Sequence, residues 1–211
     1  MALTEEKYSI RPAQRSDFDA IAALLVQLYE AELPNAIVGT SSDLARILKF
    51  SLTAKDCQGL QGRYVACSKT GEIIASITVE RTGKEAFDRA PAGIIQQAFQ
   101  SLGLRATCKL LLTVAKSIVP VPNPSSHDTA WVHSLIVAKA HRGQGLGKAL
   151  MHHVETEMRQ QDIAEIWLQV LAQNPAAIAL YQTLNYETYW QSSQLQSKLT
   201  WPSYVLKKSI L

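Results

Sequence analysis

The run Arg142-Gly143-Gln144-Gly145-Leu146-Gly147 constrains this chain more than any other feature, because of what stands on either side of it. Trp131, His133, Leu135 and Val137 alternate with Val132, Ser134 and Ile136, the period of a strand. After the glycines, Leu146, Leu150, Val154 and Met158 recur four apart, the period of one helical face. A strand, a glycine-rich turn and a helix in that order gather backbone N–H groups at a helix N-terminus, where the dipole favours an anion. Arg142 and Lys148 add two cations, so the segment from Arg142 through Lys148 predicts a diphosphate site. Both familiar nucleotide fingerprints fit poorly. The glycines read G-x-G-x-G rather than G-x-G-x-x-G, and Ala149 stands where a Walker loop needs Ser or Thr.

The next segments narrow the choice. Ile166 to Val170 reads as a strand, and Asn174-Pro175 then opens a helix with an N-cap and a first-turn proline. Asn174-Pro175-Ala176-Ala177-Ile178-Ala179-Leu180-Tyr181 follows, then Leu184-Asn185-Tyr186. R-x-x-G-x-G after one strand and N-x-x-A-x-x-L-Y after the next together resemble the GCN5-related N-acetyltransferase superfamily. Tyr8-Ser9-Ile10-Arg11-Pro12-Ala13 followed by Asp17 is similar to that family's first strand and first helix entry.

The resemblance implies an α/β fold: a mixed, mostly antiparallel central sheet with a splayed parallel strand pair, flanked by helices. It implies acetyl-CoA as co-substrate, lying between Trp131–Val137 and Ile166–Val170. Backbone groups of Leu135, Ile136 and Val137 would pair with the pantetheine arm, and an N–H near Leu135 or Ile136 would face the thioester oxygen. The loop Arg142, Gly143, Gln144, Gly145, Leu146, Gly147 and Lys148 would hold the diphosphate, and Asn174 would contact the pantetheine arm. Tyr181 stands at the family's acid position, where a phenol with a pKa of about 10 can protonate the leaving thiolate. Packing against Ala177, Ile178 and Leu184 is the plain structural alternative for it.

An ammonium acceptor needs a base, and this strand carries no Glu or Asp. His133 is the candidate, since Val132-His133-Ser134-Leu135 is similar to a stretch in arylalkylamine acetyltransferases where histidines assist deprotonation. Strict alternation would put it on one face with Leu135 and Val137; Glu32, Glu80 and a water chain are the alternatives. Glu30 and Glu32 close a helix, where they could attract a cation or simply form a solvated face. No metal is expected, because His152 and His153 are adjacent and point to different helical faces, and no H-E-x-x-H or clustered Cys/His pattern appears.

Composition bounds the rest. The 211 residues, 47% hydrophobic and 18% charged, suit a single soluble domain spanning 1–211. No apolar run approaches the roughly eighteen residues of a membrane span, and the polar N-terminus suggests a cytoplasmic protein. The dispersed net charge of +3 gives no case for nucleic acid. Cys57, Cys67 and Cys108 lack a C-x-x-C and read as buried free thiols.

Ser16-Asp17-Phe18-Asp19 suggests a capping box opening a helix to about Glu30, and Ser42 to Leu52 a second. Arg63–Ser68 and Glu72–Arg81 suggest a hairpin with Ile73, Ala75, Ile77 and Val79 on one face. Residues 82–128, between the third and fourth strands, have no counterpart in the resembled family. Ile94, Ile95, Ala98, Phe99 and Leu102 predict one helix of an insertion packed on the domain. Leu104, Cys108, Leu111, Leu112, Ala115 and Val119 predict another, stopped by Pro120, Pro122 and Pro124. It would serve as core cover, as a lid on the acceptor site, or as a homodimer or membrane-surface contact. The expected reaction is direct acetyl transfer in a ternary complex to a primary amine, on a small molecule or a peptide. The rivals are an acyltransferase using another acyl-CoA and a non-catalytic acyl-CoA-binding or partner-binding module.

Overall fold

A computed structural model describes residues 8–33, 39–53, 60–82, 91–117, 121–122 and 128–211. The chain runs β1 (Tyr8–Pro12), α1 (Phe18–Glu32), α2 (Ser41–Thr53), β2 (Arg63–Ser68), β3 (Ile73–Arg81) and α3 (Ile94–Ser117). It continues through β4 (Thr129–Val137), α4 (Leu146–Arg159), β5 (Glu165–Leu171), α5 (Pro175–Thr183), β6 (Glu187–Gln191), α6 (Gln194–Leu199) and β7 (Ser203–Ser209). The strands form one sheet in the order β1-β2-β3-β4-β5-β7-β6. Every neighbouring pair is antiparallel except β4–β5.

Each sheet face has its own apolar cluster. Ala75, Ile77, Val79, Val132 and Leu168 pack under Leu150, Met151 and Val154 of α4, with Tyr181 and Leu184 nearby. Val65, Cys67 and Ile136 pack under Phe18, Ile21, Ala22 and Leu25 of α1. Ile73 departs from its expected face and joins the α1 side, because the β2–β3 register slips between Ala66 and Cys67. No helix among the described residues is long and apolar enough to cross a membrane.

The entry to α1 differs from the expected box around Ser16. A short 3-10 turn, Arg15–Asp17, precedes the helix, and the Asp17 carboxylate accepts from the Gln14 N–H at 2.8 Å. Arg11 grips the same buried carboxylate with two bonds, 2.7 and 2.9 Å. Those bonds from Arg11 hold Asp17 below its ordinary pKa of 3.8, against the opposing push of burial. Asp17→Asn is therefore expected to destabilise the fold by about 1–3 kcal/mol at neutral pH. The sign follows from linkage: with the folded pKa depressed, the contribution is present above pH 3.8 and fades as pH falls through the folded value. Denaturant midpoints of wild type and Asp17→Asn should differ at pH 7 and converge in acid.

The insertion enters and leaves the sheet at one point, where Thr82 N–H bonds Thr129 O at 2.9 Å. The two expected helices are continuous except at Gly103, whose φ of 75° and ψ of 176° break α3 in two. Val119, Pro120 and Pro124 lie outside the described residues. The first half buries Ala98, but Ile95, Phe99, Leu104, Leu111 and Leu112 are exposed, so most of the side chains expected to pack inward do not. Cys67 is buried and free as expected; Cys108 is free but exposed, and Cys57 lies outside the described residues.

Candidate functional site

The ladder between β4 and β5 runs only from Thr129↔Glu165 to Val132↔Leu168. Its end coincides with a bulge. Thr78 of β3 faces His133 while Ser76 faces Ile136, so Ile77 stands opposite both Ser134 and Leu135. Ser134 absorbs the extra residue with φ 51°. A bulge bends its strand, and here β4 swings away from β5. The gap is a cleft of about 760 Å³, lined by Val132–Val137 on one wall and Gln169–Leu171 on the other.

The bulge also reverses the alternation on which the expectation for His133 rested. Val132 packs in the α4-side cluster, as do Leu135 and Val137, whereas Ile136 packs against α1. His133 therefore does not share a face with Leu135 and Val137. It stacks at 6.1 Å on Trp131, with Nε2 3.7 Å from the Glu80 carboxylate, and keeps 46% of its side-chain surface exposed. It still lines the cleft. Its surroundings push its pKa below 6.5, the loss of solvation being opposed by Glu80 and reinforced by Arg63.

Arg142, Gly143, Gly145, Leu146, Gly147 and Lys148 line the far end of the cleft. Gln144 lies in the same loop but outside the lining. Arg142 Nε donates to Val137 O at 3.0 Å, tying the loop to the end of β4. Gly145, at φ 81°, is the N-cap of α4, a left-handed conformation that glycine adopts without strain. Gly147 serves a different need. A Cβ there would come 3.1 Å from Leu180 Cδ2, so its absence lets α4 approach α5.

α5 starts as expected. Asn174 Oδ1 accepts from Ala177 N–H at 3.1 Å, and Pro175 occupies the first turn. Asn174 Nδ2 also donates to Glu32 at 3.3 Å, linking the C-terminal end of α1 to α5 across the cleft. Tyr181, buried, lines the same space with its ring 5.8 Å from that of Tyr186. Burial, then the nearby Glu32 carboxylate, pushes the Tyr181 hydroxyl well above 10, so it holds its proton at neutral pH. Asn185 takes the left-handed conformation, φ 63°, that closes α5.

Glu32, one of the alternative bases read from the sequence, is half-buried at the end of α1. It lines the cleft rather than facing solvent, and burial raises its pKa above 4.5, partly offset by the bond from Asn174. Gln169 also lines the cleft and donates to Ser203 Oγ at 2.8 Å. The sequence carries no local signal for either, because each is placed by the meeting of elements distant along the chain.

The Acetyltransferase (GNAT) family model matches residues 24–186. The [ribosomal protein bS18]-alanine N-acetyltransferase of Escherichia coli (strain K12) is 41% identical over 59 residues, which are 28% of this chain and 40% of that protein. The Salmonella typhimurium enzyme of the same name is 36% identical over 59 residues, with the same shares. The chain thus matches less than half the length of these curated relatives. Among solved structures, an N-acetyltransferase from Staphylococcus aureus Mu50 superposes with TM-score 0.62 and 15% identity, over 95% of this chain and 100% of that one. The protein yncA from Salmonella typhimurium, solved with its cofactor acetyl-CoA, superposes with TM-score 0.55 and 16% identity, over 97% of this chain and 94% of that one. The sheet order, the splayed strand pair and the family match agree: this chain belongs to the GNAT acetyltransferase family.

Proposed function

We propose that residues 1–211 act as one catalytic domain, an N-acetyltransferase moving an acetyl group from acetyl-CoA to a primary amine by direct attack in a ternary complex. The observation that carries this reading is that a single cleft joins the Arg142–Lys148 loop, the bulged β4 edge and Tyr181. The cleft fits the co-substrate in chemistry as well as shape: cations and a helix N-terminus at one end, an open strand edge in the middle and a protonated phenol beyond. Acetyl-CoA supplies the activated acetyl thioester.

The chain's own groups would do the rest. Backbone N–H groups at Leu135 and Ile136 would stabilise charge on the thioester oxygen, and Tyr181 would give its proton to the departing sulfur. Glu32 would hold the acceptor ammonium near Tyr181, and His133, paired with Glu80, would take a proton from the amine. The amine nitrogen gains the acetyl carbon as the carbon–sulfur bond breaks, and the second proton it sheds would restore the Tyr181 hydroxyl, leaving an amide and a thiol.

The relatives named for acetylating an alanine of ribosomal protein bS18 favour a peptide or protein amine over a small one as acceptor, and a cytoplasmic setting. Thiol release with peptides of varied N-terminal residue, compared with small alkylamines, tests the reaction and the acceptor class together. If neither peptides nor small alkylamines support thiol release, a non-catalytic acyl-CoA-binding module becomes the better reading.

His133 carries a pH prediction. As a base it must be neutral, and its depressed pKa means kcat/KM falls only as pH drops below 6.5. His133→Ala should cut kcat/KM by about tenfold at neutral pH and remove that acidic limb. An unmoved pH–rate profile would assign the base elsewhere.

A further inference from the structure

Beyond the break at Gly103, α3 is inverted relative to an ordinary surface helix. It buries Thr107 and Thr113, while Leu104 and Leu112 keep 69% and 66% of their surface exposed and Leu111 is exposed with them. At about 100° per residue, Leu104, Cys108, Leu111, Leu112 and Ala115 fall on one stripe. A soluble monomer rarely leaves such a stripe to water while burying threonines in its place, so something apolar covers it.

Charge indicates what that is. Arg105, Lys109 and Lys116 fall along one flank of the stripe, and α3 has no Asp or Glu from Ile94 to Ser117. A second copy docked about a two-fold axis would bring two all-cationic helices together, which disfavours self-pairing. A lipid surface accommodates the pattern directly. Leucines enter the headgroup boundary, while the arginine and lysine stems lie along it and keep their charges beside phosphates. The segment 104–117 is about 21 Å long at 1.5 Å per residue, enough to lie in the interface and too short to cross it.

We propose that the Leu104–Lys116 face of α3 docks this protein peripherally on an anionic phospholipid surface. None of the described α3 residues lines the cleft, so the inference is independent of the proposed reaction.

The test is sedimentation of the full chain with vesicles of phosphatidylglycerol mixed with phosphatidylcholine, and with phosphatidylcholine alone. Partition onto the anionic vesicles should be about tenfold tighter or more, and should weaken as salt is raised. Leu112→Glu and, separately, Lys109→Glu should each lower it by about tenfold, with melting curves confirming folded protein. Lys109 is exposed and polar, so that variant carries the test should Leu112→Glu misfold. Absent partition, partition indifferent to headgroup charge, or partition unchanged in both variants overturns the proposal. So does a wild-type dimer by light scattering that Leu112→Glu converts to monomer, which would make the stripe a contact between copies.

Discussion

Tyr181→Phe is expected to lower kcat by about tenfold or more while leaving acetyl-CoA affinity nearly unchanged. The substitution removes one oxygen from a ring that is buried and packed against Tyr186, so the apolar contacts of α5 survive it. What it removes is a proton source. Burial and the neighbouring Glu32 carboxylate keep the hydroxyl protonated at any pH where the enzyme would work, and that proton stabilises the developing thiolate. The effect should fall on kcat because a leaving-group proton matters only once the carbon–sulfur bond is breaking. Stopped-flow thiol release and calorimetry on the same sample separate the two parameters. An unaltered kcat would reduce Tyr181 to a packing residue of the α4-side core.

Gly145→Val should weaken acetyl-CoA binding by about tenfold or more while costing only about 1–2 kcal/mol of fold stability. The position has φ 81°, and a Cβ there meets no protein atom within 4 Å, so the stability cost is backbone strain alone. For binding, the position is critical. It caps α4 within the cleft lining, where the helix's first N–H groups must be approached closely by a diphosphate. Gly71→Val supplies the control. Gly71 has φ 84° and equally open space, but it turns the β2–β3 hairpin instead of lining the cleft. The two variants should lose similar stability, and only Gly145→Val should lose affinity. Equal affinities would remove the loop from the binding site.

The loop and the start of α5 were legible in the sequence because their signals are local. Glycine spacing between a period-two and a period-four segment fixes a turn and a helix N-terminus, and Asn174-Pro175 fixes a cap. The bulge at Ser134 has no such signal, since a serine at φ 51° looks like any other strand residue. One inserted residue flips every side chain after it, which is why His133 parts company with Leu135 and Val137. In α3 the periodicity did show which residues share a stripe. It could not show which stripe faces the protein, because the hydrophobic pattern identifies a face and not its partner. Glu32 stays open in the sequence, between a cation site, a base and a solvated face, for a related reason: a carboxylate at a helix end is solvated unless another element arrives, and the element that arrives, α5, begins at Pro175.

Calorimetric titration of the purified chain with acetyl-CoA, alongside ADP and NAD, tests the central claim most directly. One-site binding that is selective for acetyl-CoA is the predicted result. Absence of acetyl-CoA binding by demonstrably folded protein would contradict the assignment of the cleft.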